Sequence, residues 1–281
     1  MLALSHWPPL DRPRHLAAWA DAIGHNHAAL WIGCRGPRVV AAMLAEVQPG
    51  RTAVVGCPRV AEGEPSETAI TVLTHVCDEL RQSDIRLAQS LTLKHLPRDG
   101  AVLLAAGFEA SCDLLYLVSL SGTFPSAPPD NDLEWIPYET AGHDRLRSMI
   151  EQTYEGSLDC AKFQHRRSLD DVLAGYRAVG TLDGARWLIA RQRGVDVGCL
   201  LLADHPDSNA WELVYMGVIP GARGRGLGVA LARQAQWLAA FAGRERLSVA
   251  VDADNGPAIS AYAAAGFTGW DRRTVYLRAF A

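Results

Sequence analysis

The chain has 281 residues and a nearly balanced charge, with 27 basic and 31 acidic side chains and a formal net charge of −4. Apolar residues make up 49% and charged residues 21%, enough to build a full core and too apolar for a disordered chain. A chain of this sign has no general electrostatic attraction for nucleic acid or anionic membranes, so neither is expected as a partner.

The six cysteines, at 34, 57, 77, 112, 160 and 199, include no CxxC pair. No metal site is therefore expected, and the thiols read as reduced and mostly buried. Met1 to His15 lacks a basic segment followed by an apolar one, and no apolar run reaches the length of a membrane span. A cytoplasmic location is the expectation.

In chain order, Val39–Val47 and Thr52–Cys57 read as strands separated by the turn Pro49-Gly50. A long helix follows, and then Ala105-Ala106-Gly107-Phe108 leads into an apolar strand, Leu114–Leu120. Ser121–Asp132 carries three prolines among Ser, Gly, Asp and Asn, which neither helix nor inner strand tolerates. This segment divides the chain into a first domain, 1–122, a linker, 123–132, and a second domain, 133–281.

The second domain begins with two helical patterns, Ala141–Tyr154 and Leu169–Val179. Strands Trp187–Arg191, Asp196–Ala203 and Trp211–Val218 follow, the last two joined by a turn at Pro206–Asn209. Leu227, Leu231, Leu238 and Phe241 fall at helical spacing. Leu247–Val251 is a buried strand, Pro257–Ala265 a helix, and Ala264-Ala265-Gly266-Phe267 leads into a last strand, Thr274–Phe280. Alternating elements give an α/β class, and the two domains repeat one element order.

The stretch with the most chemistry is Arg223-Gly224-Arg225-Gly226-Leu227-Gly228, between an apolar strand and a helix. Three glycines allow close backbone approach, and a helix N-terminus presents unpaired N–H groups with partial positive charge. Together they suit a pyrophosphate, and Arg223 and Arg225 add two cations. A Walker A loop is excluded because Gly228 is followed by Val229-Ala230 instead of Lys-Ser/Thr. A dinucleotide fingerprint fails as well, since its last glycine would fall on Val229 or Leu231.

The segment resembles the GNAT acetyltransferases, whose signature Arg/Gln-x-x-Gly-x-Gly/Ala is filled by Arg223, Gly226 and Gly228. Asn255, Ala258, Tyr262 and Gly266-Phe267 follow in the family's order. The tandem layout and the Asp252-Ala253-Asp254-Asn255 segment are similar to the mycothiol synthase type. The resemblance implies two GNAT-like domains, each a mixed, mostly antiparallel sheet flanked by helices, the second catalytic. It implies acetyl-CoA as co-substrate and direct acetyl transfer to a primary amine of a small molecule. A non-catalytic acyl-CoA-binding regulator is the alternative.

On this reading the loop Arg223 to Gly228 holds the pyrophosphate, and Asn255 and Ala258 lie along the pantetheine arm. The Met216 and Val218 amides, around a bulge at Gly217, meet the thioester and the arm. Tyr262 protonates the leaving thiolate, and Glu212, a carboxylate in an apolar strand, is the candidate base. Glu212 also reads as a salt-bridged strand residue, Tyr262 as core packing and Asn255 as a helix N-cap. Tyr154 and Asp159 fall on the acceptor side, where Asp159 suits a cationic amine or is an incidental turn residue. In the first domain, Leu103 and Leu96 stand where Tyr262 and Asn255 stand in the second, and Ala61 to Glu67 carries three carboxylates in place of the arginine loop. That domain is expected to be a degenerate, non-catalytic copy.

Overall fold

The computed structural model describes residues 28–93, 96–130, 132–160 and 166–280. The reading of Met1–His15 and the beginning of the 1–122 domain lie outside these residues. In chain order the strands and helices are β1 (Ala28–Arg35), β2 (Arg38–Gln48), β3 (Thr52–Val55), β4 (Arg59–Val60), α1 (Ser66–Gln82), β5 (Leu87–Leu93), α2 (Pro97–Ala105) and β6 (Glu109–Leu120). They continue with β7 (Leu133–Pro137), α3 (Tyr138–Ala141), α4 (His143–Tyr154), α5 (Leu169–Arg177), β8 (Trp187–Gln192), β9 (Val195–His205) and β10 (Ala210–Val218). The last are α6 (Leu227–Phe241), β11 (Arg246–Asp252), α7 (Gly256–Ala264) and β12 (Thr268–Ala279). No helix among the described residues is long and apolar enough to cross a membrane.

The chain forms two compact units. Among the described residues, one holds 114–160 and 176–271, and the other 28–113, 166–175 and 272–280. We call them the cleft unit and the companion unit. Both are interleaved in sequence, so the units and the segments 1–122 and 133–281 overlap without coinciding.

In the cleft unit the strand order is β6-β11-β10-β9-β8-β7. Every pairing there is antiparallel except β10 with β11. In the companion unit the order is β1-β2-β3-β5-β12, again antiparallel except for one pair, β3 with β5, and with β4 added on β2. The repeat read from the sequence is therefore visible as two parallel pairs, each spanned by a helical crossover. The last strand of each repeat is exchanged. Residues Leu114–Leu120 pair with β11, and Arg273–Ala279 pair with β5.

Each unit has its own core. In the cleft unit α6 buries Leu231, Ala232, Ala235 and Ala239 against Leu200, Leu202, Leu213 and Leu247 of the sheet. Phe241, which helical spacing places on the apolar face, is instead 83% exposed at the last helical position. In the companion unit Leu73, Val76 and Cys77 of α1 pack with Val55, Ala88, Leu103 and Phe108. That burial pushes the Cys77 thiol up to about 11, which makes it a poor nucleophile. The predicted helix Ala141–Tyr154 is two helices, because Gly142 adopts φ +81° between α3 and α4.

Candidate active site

The site begins as a divergence of two parallel strands. Only Ala210–Glu212 of β10 pair with β11, opposite Arg246–Ser248. Beyond Glu212, β10 keeps its antiparallel partner β9 but has no register with β11. The gap is a cleft of about 500 Å³, lined by Leu213–Val218 on one side and Val249–Val251 on the other. The β9 register skips Val214, since Leu213 faces Leu202 and Tyr215 faces Leu201. The bulge expected at Gly217 is thus at Val214, where one extra residue bends the strand.

Gly217 has a different purpose. A Cβ there would lie 2.6 Å from Thr153 Cβ and 2.8 Å from the Tyr215 hydroxyl. The glycine therefore admits Thr153 and Tyr215, whose hydroxyls are 2.7 Å apart. Around it the backbone is extended. The Ile219 N–H donates to Val197 O on β9, and Gly217 stands opposite Cys199 in the ladder. Alternation along a strand then turns the Met216 and Val218 amides away from β9, toward the cleft.

The cleft runs onto the glycine-rich loop. Gly224 and Gly226 both take positive φ, +76° and +78°, which residues with a Cβ adopt at a cost. Gly226 is the N-cap of α6 and caps with no side chain. The bond from Ala230 N–H to Gly226 O closes the first turn, so the amides of Leu227, Gly228 and Val229 have no partner within the helix. Gly228 also lets α6 approach α7, since a Cβ there would stand 3.2 Å from Ala261 Cβ.

The two arginines do not act as a pair. Arg223 donates to four main-chain carbonyls, Val218, Thr153, Glu155 and Gly156, at 2.7–3.1 Å. Its guanidinium thereby caps the C-terminal end of α4, where carbonyls lack helical partners. Arg223 lines the cleft, but this commitment leaves its guanidinium a structural tie in place of the free phosphate ligand that the motif suggests. Arg225 is exposed, donates to Gly221 O at 2.8 Å, and is not among the cleft-lining residues.

Asn255 serves as N-cap and as cleft wall together, its Oδ1 accepting from Ala258 N–H at 3.2 Å. Ala258 lines the same wall, as does Tyr262, which is 5% exposed and packs edge-on against Phe267. Burial pushes the Tyr262 phenol well above its ordinary value, and the nearby charge of Asp159 adds to the effect. It therefore stays protonated in the neutral range.

Asp159 lines the cleft from the loop after α4. Its Oδ1 accepts from Asp252 N–H at 3.0 Å, while Asp252 Oδ2 accepts from Cys160 N–H at 2.9 Å. These reciprocal bonds fasten the loop to the end of β11. Burial raises the Asp159 carboxyl above its usual range, the Asp252 N–H opposes the rise, and the Asp252 charge adds to it.

Two expected site residues stand apart from the cleft walls. Glu212 precedes the divergence, is 7% exposed, and its Oε2 lies 3.1 Å from His205 Nε2. It is not a cleft-lining residue. Tyr154 sits behind the wall, its hydroxyl 3.0 Å from that of Tyr176 and its ring edge-on to Tyr215. Tyr176 stacks on Tyr215. Sequence reasoning missed Thr153, Tyr176 and Tyr215. The only local signal was Tyr215's place two residues before Gly217.

A parallel strand pair that opens over a helix start with no side-chain cap, with a buried phenol on one wall, points to one class, the acyltransferases. Within that class, residues 148–267 match the family model described as the Acetyltransferase (GNAT) family, so this segment is a GNAT acetyltransferase domain. No curated protein sequence gives a significant match. Among solved structures, the chain is similar to a GCN5-related N-acetyltransferase from Sphaerobacter thermophilus, with TM-score 0.64 and 16% identity over 90% of this chain and 81% of that one. It is also similar to a tandem GNAT protein from the clavulanic acid biosynthesis pathway, with TM-score 0.54 and 18% identity over 91% and 84% of the two chains. A GCN5-related N-acetyltransferase from Kribbella flavida aligns with TM-score 0.56 and 14% identity over 94% and 93%. At these identities the likeness shows the fold, a tandem GNAT-like one.

Proposed function

We propose that this chain transfers an acetyl group from acetyl-CoA to a primary amine of a small molecule by direct attack. The observation that supports it most is the opening of β10 from β11 after Glu212, which leads from the amides of Met216 and Val218 to the start of α6. A thioester carbonyl suits the strand amides, which would hold the developing oxyanion. The pyrophosphate suits the amides of Leu227, Gly228 and Val229. Asn255 and Ala258 line the path of the pantetheine arm between these two points. Tyr262 gives its proton to the departing sulfur. An acceptor amine enters from the side of Asp159.

The 1–122 segment contributes no turnover on this reading. Leu103 and Leu96 offer no phenol or amide where Tyr262 and Asn255 stand, and both lie on or beside α2. The counterpart of the glycine loop leads into α1 through Pro65 as N-cap, with no side-chain cap. The described cysteines are free thiols, in keeping with a reducing compartment such as the cytoplasm.

The test is release of free CoA from acetyl-CoA with a panel of primary amines, together with calorimetric titration of acetyl-CoA. Amine-dependent release and one binding site per chain are expected. Tight binding with no release across the panel would favour a non-catalytic acyl-CoA sensor.

A further inference from the structure

We propose that Asp159 is the general base of the reaction, in place of the strand carboxylate Glu212. The inference rests on the acetyl-transfer reading above. Four titratable side chains line the cleft among the described residues, namely Asp159, Tyr215, Arg223 and Tyr262. Arg223 is spent on main-chain carbonyls, and a guanidinium accepts no proton. Tyr215 binds Thr153 and is held protonated by burial. Tyr262 is the proton donor. Asp159 is the one carboxylate left facing the cavity among the described residues.

Its geometry suits the task. The Asp252 N–H fixes one carboxylate oxygen at 3.0 Å, and the Asp159 N–H is held by Ser157 Oγ at 3.2 Å. The side chain is thus held from the end of β11, and the main chain that carries it is held within its own loop. Its charge is felt by Tyr262, Tyr176 and Tyr215, so it shares one electrostatic field with the proton donor. The charged group facing Asp159 from β11 is Asp252, which favours proton uptake. A raised proton affinity suits a carboxylate that must take a proton from an amine.

The protons and bonds balance. The carboxylate of Asp159 takes one proton from the amine nitrogen as the N–C bond forms and the carbonyl pair moves to oxygen. That pair returns, the C–S bond breaks with its electrons on sulfur, and Tyr262 protonates the sulfur. The proton held on Asp159 then restores the phenol through solvent, leaving amide and free CoA.

The variant Asp159→Asn keeps an oxygen for the Asp252 N–H and removes only the basicity. CoA release is measured against pH with an alkyl amine and with a weakly basic amine such as trifluoroethylamine, alongside calorimetry with acetyl-CoA. The wild type is expected to gain kcat, which reports the bound complex, with rising pH along an acidic limb. Asp159→Asn is expected to lose that limb and to drop about 10²–10³-fold in kcat with the alkyl amine. The drop is expected to be smaller with the weak base, whose bonded nitrogen sheds its proton to water unaided. Asp159→Glu, which restores a carboxylate, is expected to recover part of the limb, and unchanged acetyl-CoA affinity marks an intact fold. The proposal is overturned if Asp159→Asn keeps the limb and its kcat, or if only KM rises, which would make Asp159 an anchor for the ammonium group. If the wild type releases no CoA with any amine, the acetyl-transfer reading fails first, independently of the variant.

Discussion

Arg223 donates to the carbonyl of Glu155 at 2.7 Å, and so ties the glycine-rich loop to the end of α4. With the bonds to Thr153, Gly156 and Val218, one side chain satisfies four carbonyls. Arg223→Ala is therefore expected to cost stability, by about 1–3 kcal/mol, as a lowered Tm. Its effect on acetyl-CoA affinity follows from the displaced loop. Arg225→Ala is expected to leave Tm within a degree or two, since it donates to one local carbonyl, Gly221 O, where Arg223 donates to four. Any loss of acetyl-CoA affinity in that variant is expected to fade at high salt, as screening predicts for an exposed charge. Equal Tm losses for the two variants would contradict this division.

Tyr262→Phe keeps the ring against Phe267 and deletes the hydroxyl. A fall in kcat of about 10²–10⁴-fold is expected, with acetyl-CoA affinity nearly unchanged. Because burial holds the phenol well above its ordinary value, its deprotonation contributes no basic limb to the wild-type profile in the neutral range. A variant with full kcat would remove Tyr262 from the chemistry.

Glu212→Gln is the matching control. Its carboxylate meets His205 at 3.1 Å on the paired part of β10. Loss of that interaction is expected to destabilise by about 1 kcal/mol, while the pH profile of CoA release overlays that of the wild type. A shifted acidic limb would return the base to the strand.

Acid sensitivity has a separate source. Arg145 on α4 holds Asp196 on β9 with two bonds of 2.8 Å, and this pair lowers the Asp196 carboxyl below its usual range. A carboxyl lowered in the folded state contributes stability that is present above its unfolded value, near pH 4. That contribution is lost as pH falls through the folded value. Asp196→Asn is expected to be less stable than wild type at neutral pH, with the difference closing below about pH 4 in denaturant titrations. A gap that persists at pH 2 would show that packing, and not charge, is responsible.

The parts of the site legible in the sequence are those whose chemistry needs neighbours along the chain. Gly224, Gly226 and Gly228 lie within one turn, and Asn255 and Tyr262 lie on one short helix. What stayed hidden depends on residues far apart in sequence. The carbonyls that Arg223 serves at and just after the end of α4 are 67 to 70 residues away. The need for glycine at 217 comes from Thr153, and the purpose of Asp159 from Asp252, 93 residues on. Alternation alone could not distinguish a buried Glu212 facing His205 from one facing the cleft. The repeat was legible as element order, but the exchange of its last strands was not, because the pairing partners lie far apart in the chain.

That exchange constrains the timing of synthesis. A ribosome emits β1, β2, β3 and β5 early, yet the antiparallel neighbour of β5 is the stretch Arg273–Ala279, with Arg273 opposite Leu93. The companion unit must wait, with β5 lacking that neighbour, for residues made much later, and unpaired β-edges are what holding chaperones protect. The cleft unit has the reverse history. Leu114–Leu120 is translated before β11 and is already waiting when Arg246–Asp252 emerges. A premature stop just before Arg272 would therefore strip a strand from the half of the molecule without the site residues, and leave every one of those residues in the product.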